Sequence, residues 1–385
     1  MKPCNVAGSV AISTANDLKL RAWWSHKQGL DGTLAGKSAA QVLVVAGWAR
    51  SVGGVGPYLT LFARGGISRE TADASLAALE IAELPSARGC TYVLPAEDFA
   101  LGLTVGGGNN GDLRTAEKLG APPAEIDALC KAVVAALDGV ALDPDGLRAA
   151  LGGRVRDFGV EGRKRGMATA LPVALGMLQT AGEILRVPVN GRLDQQRYRY
   201  ARWFPNPLAK VPSRADAFAA LARRFFAWIG PATLADFRAF AGLGVNAAKE
   251  AVAGLELQPI APGDDLLLLP VDREAWSSFE PPRDPQYALL SSLDALFALR
   301  RDPRELESHA IVDRGRLIGR WEYDVATESI AWATSVDADA ALRDAVARTE
   351  AYVRDQLGDA RSFSLDSPPS RAPRVAALRA AQPKP

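Results

Sequence analysis

Metal-binding side chains are scarce in this sequence. It has two histidines, His26 and His309, and three cysteines, Cys4, Cys90 and Cys130, which sit far apart and form no CxxC pair. That spacing supplies neither a zinc site nor a disulfide framework, and no metal or cofactor is expected. Long apolar runs are missing too: no uninterrupted stretch reaches membrane-spanning length, and the N-terminus lacks a basic segment followed by an apolar one. The expectation is a cytoplasmic protein with reduced thiols. Charge of one sign is also absent, since 45 Lys and Arg against 44 Asp and Glu leave a formal net charge of +1. No global basic field points to nucleic acid, so any such surface must come from local clustering. What is present, 385 residues of which 48% are hydrophobic, suits an ordinary folded core divided into about two to four domains.

The most informative stretch is Arg163–Pro205, whose periodicity changes halfway along. Between Ala168 and Glu183, Leu171, Leu175 and Leu178 recur at three- and four-residue spacing, which predicts a helix with one buried face. Gly182 interrupts it, and Ile184–Val189 and Gln196–Arg202 then read as two strands around an Asn190-Gly191 turn. Helix, strand, turn, strand is how a winged helix ends. Arg163, Lys164 and Arg165 precede the helix, where cations would meet a DNA groove. The competing reading is a solvated basic turn beside a core helix.

The same grammar occurs twice more. Before this stretch come helices over Leu18–Gln28, Ala39–Arg50 (capped by Ser38), Tyr58–Arg64 and Ser68–Ile81, then a strand at Cys90–Leu94. The loop Val52-Gly53-Gly54-Val55-Gly56-Pro57 lacks the order and the Lys of a phosphate loop and reads as a tight turn. After Pro205–Pro212, helices at Ala215–Trp228, Thr233–Ala241 and Val245–Leu255 lead to a strand at Asp265–Leu269. A helical Leu289–Arg301, strands at His309–Asp313, Arg316–Tyr323 and Ser329–Ser335, and a helix at Ala338–Leu357 follow. The Pro- and Ala-rich tail from Ser364 is expected to be mobile. The predicted class is α+β: three tandem winged-helix units and a small β-rich, barrel-like C-terminal domain. The boundaries are residues 1–108, 109–206, 213–271, 272–363 and a tail over 364–385.

Four segments in order, Arg88–Asp98 (RGCTYVLPAED), Gly191–Pro205, Ala222–Leu243 and Val312–Asp324, resemble the AlkZ-like family of winged-helix DNA-binding proteins. The resemblance implies three winged helices and a β-barrel domain around a duplex-sized channel, with double-stranded DNA as partner. It implies glycosylase activity on alkylated or crosslinked DNA, in which a Gln-hydrophobic-Gln motif positions the attacking water. Anchoring on Tyr58–Arg64 places that motif on Arg50-Ser51-Val52, where both glutamines are missing. The family's Thr-Leu-His signature stands here as Cys90-Thr91-Tyr92.

A cationic alkylated base leaves without much acid catalysis, so the protein must chiefly orient a water and stabilise charge on the sugar. The fixed charge of Arg50 suits neither task, although it could hold a phosphate. Substitute groups are sought at Asp194, Gln195 and Gln196 on the second wing, and less so at Glu97 and Asp98; the bland readings are a polar hairpin tip and helix caps. Arg197 and Arg199 alternate with Tyr198 and Tyr200, with Arg202 at the strand's end, a pattern suited to phosphate contacts. The sequence thus supports a DNA-binding protein that lacks the family's catalytic pair and for which little alkylpurine release is expected. The alternatives are a non-catalytic regulator or damage sensor, or a protein-interaction module.

Overall fold

A computed structural model describes residues 14–107, 111–209, 212–300 and 306–382. Helix α1 (Thr14–Lys27) is followed by α2 (Ala39–Ala46), which Ser38 and Gln41 close with a capping box. The helix expected to reach Arg50 stops earlier. Gly47 takes φ +91° against the ring of Trp228, where a Cβ would lie 3.1 Å from ring carbon, and Ala49–Arg50 become strand β1. Helices α3 (Gly56–Gly65) and α4 (Arg69–Ala77) come next. Ile81, expected in α4, instead opens β2 (Ile81–Pro85), because Leu79 turns the chain at φ +55°. With β3 (Thr91–Pro95) these form an antiparallel sheet in the order β1-β3-β2, backed by α5 (Phe99–Gly106).

The middle of the chain holds α6 (Gly111–Lys118), α7 (Pro123–Ala136), α8 (Pro144–Leu151), α9 (Gly159–Lys164) and α10 (Leu171–Thr180). An antiparallel pair closes it, β4 (Ile184–Pro188) with β5 (Tyr198–Arg202). Ile126, Leu129, Val133, Leu147, Leu171, Leu175, Leu178 and Ile184 form a core confined to this region, so the spacing that predicted α10 does bury one face. The cations at 163–165 lie on α9 and its C-terminal cap, not on α10.

A third stretch, α11 (Arg214–Ile229), α12 (Leu234–Ala241) and α13 (Val245–Val252), ends in a short hairpin of β6 (Gln258–Pro259) with β7 (Leu267–Leu268). Its aromatic face packs against the N-terminal helix: Trp23 and Trp24 share a core with Phe225, Phe226 and Trp228, and their indole N–H groups donate to Gly230 O (2.8 Å) and Pro231 O (2.9 Å). The tryptophan pair is therefore core.

After α14 (Arg273–Ser278), the helix expected over 289–301 is cut short, its first two residues belonging to strand β8 (Tyr287–Leu290). Leu289 and Leu290 pair with Ile311 and Ala310, only α15 (Ala295–Ala298) is helical, and position 301 falls outside the described residues. Strands β9 (His309–Asp313), β10 (Arg316–Asp324) and β11 (Ser329–Thr334) complete an antiparallel sheet in the order β11-β10-β9-β8. Helix α16 (Ala340–Tyr352) packs on it. The tail is the largest correction. Ser367 caps a further helix, α17 (Pro368–Ala381), which opens with Pro368 and Pro369 and lies along β10 and β11. Arg374 reaches the buried carboxylates of Glu322 (2.7 Å) and Asp366 (2.8 Å), and Arg371 reaches Asp359 (2.6 Å). Residues 364–382 are thus tied to the sheet. Taken together, the chain is an α+β protein.

Candidate functional site

Strand alternation decides what faces the cleft beside the first sheet. Ala49 and Glu83 both pair with Val93 of β3, so they share one face; Arg50 pairs with Tyr92 and turns to the other. The Arg50 guanidinium accordingly stacks over the Tyr92 ring at 5.2 Å and donates to Thr91 O at 3.2 Å. Ser51, one residue on, returns to the Glu83 side and donates its hydroxyl to Glu83 Oε1. Around these two residues lies a cleft of about 440 Å³. It is lined by Arg50–Gly53 and Glu83, by Gly89, Cys90 and Thr91, by Arg186, Gln196 and Tyr198 of the second hairpin region, and by Phe363, Ser364 and Leu365.

Glu83 is the unusual group here. It is 3% exposed, in a strand whose neighbours Ala82 and Leu84 are core. Arg186 Nη2 stands 3.5 Å from Oε1. A buried carboxylate in a cleft is a candidate acid–base group. Burial first, and then the charge of Glu83 and a hydrogen bond to it, opposed by Arg186, push the Tyr198 phenol far above its ordinary range, so Tyr198 meets the carboxylate as a neutral O–H donor. Sequence reasoning missed Glu83, although an acid in the apolar run Ile81-Ala82-Glu83-Leu84 was a legible signal.

The two places where sequence reasoning looked for catalytic groups meet. Gln196 Nε2 donates to Val52 O at 3.2 Å, and its side chain lies where a Cβ on Gly53 would be, 2.5 Å from Cγ. Asp194 is directed elsewhere: it is buried and held by Arg192, whose Nε stands 2.8 Å from Oδ1. Gln195 is half-buried and outside the cleft lining. Val52 contributes to the lining. Asp98 is buried, accepts from Trp48 Nε1 (2.9 Å) and pairs with Arg224 (2.9 Å), and the exposed Glu97 pairs with the same arginine; neither lines the cleft.

The cations divide. Arg163, Lys164 and Arg165 are exposed and make loose pairs with Asp157 (3.6 Å) and Glu161 (3.8 and 3.3 Å). Arg197 and Arg199 are exposed and make no ion pair among the described residues. Arg202 alternates onto the tyrosine face, where it stacks on Phe204 (4.5 Å) and stands 3.6 Å from Asp138. No group of metal-ligating side chains and no helix long and apolar enough to cross a membrane occurs among the described residues.

Comparison with known families decides the lineage. The model of the DNA glycosylase AlkZ-like family matches residues 55–363. The chain belongs to the AlkZ-like DNA glycosylase family. Its fold is similar to that of Streptomyces sahachiroi DNA glycosylase AlkZ, with a TM-score of 0.69 at 20% identity over 90% of this chain and 98% of that one. No curated protein matches it by sequence. The AlkZ-like match begins just after Arg50-Ser51-Val52 and ends at Phe363, so both lips of the cleft lie at the limits of the family region.

Proposed function

We propose that this AlkZ-like chain binds double-stranded DNA carrying a modified base, receives the extruded nucleotide in the cleft, and hydrolyses its N-glycosidic bond with Glu83 in place of the missing glutamines. In this reading the three helix-plus-hairpin stretches act as winged helices beside a β-rich C-terminal domain, and the exposed Arg163, Lys164, Arg165, Arg197 and Arg199 contact phosphates.

The observation that carries the reading is the buried carboxylate of Glu83 among the residues that line the cleft beside Ser51. Ser51 fixes one carboxylate oxygen by donating to it, which leaves the other to accept a proton from water. As the C1′–N bond breaks, its electron pair leaves with the cationic base. Water oxygen bonds to C1′, and its proton passes to Glu83. The carboxylate also places negative charge beside the oxocarbenium-like sugar, a role the Arg50 guanidinium, held over Tyr92 in the cleft wall, could not fill. Gln196, braced on Val52, offers an amide oxygen for orienting the water.

A second reading has one observation in its favour: Glu83 also bridges Ser51 to Arg186, and so could serve only to lock the first sheet to the second hairpin of a non-catalytic damage binder. Single-turnover abasic-site formation on alkylated duplex DNA separates the two. The proposal expects base release by the wild-type protein; saturating binding with no release supports the second reading.

A further inference from the structure

The glycine-rich loop and the segment that follows Asp359 had no function in the sequence, and the structure joins them. Ser364 N donates to Val52 O at 3.1 Å, Val55 N donates to Arg361 O at 3.0 Å, and Arg361 Nε donates to Gly53 O at 3.1 Å. Arg361 also donates through Nη2 to Asp194 O. Gly54 has to be glycine for this contact, since a Cβ there would stand 2.2 Å from Ser362 O. Within the segment, Ser362 N donates to Asp366 Oδ2 and Asp366 N to Phe363 O, each at 3.0 Å, and Arg374 anchors Asp366 from α17. The loop's backbone is thus pinned from both sides.

Its two apolar side chains are not. Phe363 is 46% exposed and Leu365 82% exposed, and both stand at the lip of the cleft that holds Glu83. Apolar tips held on a fixed backbone beside a polar, arginine-lined cleft have no folding role to justify their exposure. They match what base extrusion requires. A nucleotide swung out of a duplex leaves an apolar gap between its stacked neighbours, and inserted apolar side chains fill such gaps. We propose that Phe363 and Leu365 form a wedge that enters the base stack of duplex DNA at the vacated position while the extruded nucleotide occupies the cleft. The occupant of the apolar lip is therefore the DNA base stack, and the proposal rests on the reading of the cleft given above.

The test uses the full chain and a duplex carrying 2-aminopurine, whose fluorescence is quenched by stacking, opposite the alkylated nucleotide. Wild-type protein should brighten the probe, and so should Glu83→Gln, because insertion does not need the chemistry. Phe363→Ala with Leu365→Ala should bind DNA but leave the probe dark. The same double variant should slow base release from paired duplex about fivefold or more beyond any slowing it causes when the modified base sits in a single strand with no stack to open. Equal slowing on both substrates would mean that the side chains merely shape the cleft, and an unchanged rate or probe signal would mean that they do not insert; either overturns the wedge. A bright probe with no base release from any variant would reject the hydrolytic reading and leave the wedge standing. A wild-type protein that binds DNA without brightening would reject the wedge alone. Because both side chains are exposed, melting should be unaltered; if the double variant fails to fold, Leu365→Asn provides the same comparison.

Discussion

Gln196 and Val52, 144 positions apart, are joined by a hydrogen bond of 3.2 Å from the Gln196 amide nitrogen to the Val52 main-chain oxygen. It fastens the tip of the second hairpin to the loop in which the family's catalytic motif is expected. Gln196→Ala removes the brace and the amide oxygen together. Base release should fall about a hundredfold, the scale for losing one preorganised polar group, while DNA affinity stays within a few-fold. Single-turnover rates and anisotropy titrations measure the two effects separately.

Arg64 and Asp294 carry a different kind of prediction. They form a two-point ion pair (2.9 and 2.8 Å) with no exposed surface, supplemented by Arg64 bonds to Gln28 O and Oε1 and by Thr60 Oγ1 on Asp294. Removing one partner strands the other charge in the core. Asp294→Ala should lower unfolding free energy by about 3–5 kcal/mol in a urea titration, whereas replacing both residues with apolar ones should recover part of that loss.

Stability should also depend on pH through His309. The ring is fully buried against Trp321, accepts from Ser292 N at Nδ1 (3.1 Å) and donates from Nε2 to Ala360 O (2.6 Å), so it is neutral. Burial lowers its pKa, opposed by Glu322 and Asp366 and helped by Arg371. The folded-state pKa therefore lies below the unfolded value of about 6.5, and between the two the unfolded chain holds a proton that the folded chain lacks. The contribution is fully present above that pH and is lost as pH falls below it. Melting temperature should drop as pH falls below about 6.5, and His309→Gln should flatten this segment of the profile although it lowers stability overall.

DNA binding should follow exposure rather than proximity in sequence. If Arg163, Lys164, Arg165, Arg197 and Arg199 neutralise phosphates, each should contribute about 0.9 to the slope of log affinity against log salt. Alanine at 163–165 should flatten the slope and weaken binding. Arg202→Ala should change the slope little, because its guanidinium is engaged with Phe204 and Asp138. Titrations at several salt concentrations check both statements.

Local rules carried much of the fold into the sequence. The Leu171, Leu175 and Leu178 spacing, the cap at Ser38 and the three strands β9 to β11 were all legible, because each depends on near neighbours. What failed was set by distant contacts. Gly47 ends α2 against Trp228, and Leu289 becomes strand through its pairing with Ile311. The tail read as mobile because prolines and alanines carry no core pattern, while its arginines are ordered by carboxylates on β10 and on its own loop. Of the candidate site, Gln196 and the 50–52 stretch were within reach. Glu83 stood out only as an acid in an apolar run and Phe363 not at all, since the sheet register and a fold-back across the glycine loop are what bring them together.

The most direct measurement is the single-turnover rate of abasic-site formation on alkylated duplex DNA by wild-type protein and by Glu83→Gln, which keeps the shape and the Ser51 contact but removes the base. The rate should fall by about a hundred- to ten-thousandfold with DNA affinity within a few-fold of wild type. Base release by Glu83→Gln at the wild-type rate would contradict the assignment of Glu83, and the absence of release by wild-type protein that binds the same DNA would contradict hydrolysis itself.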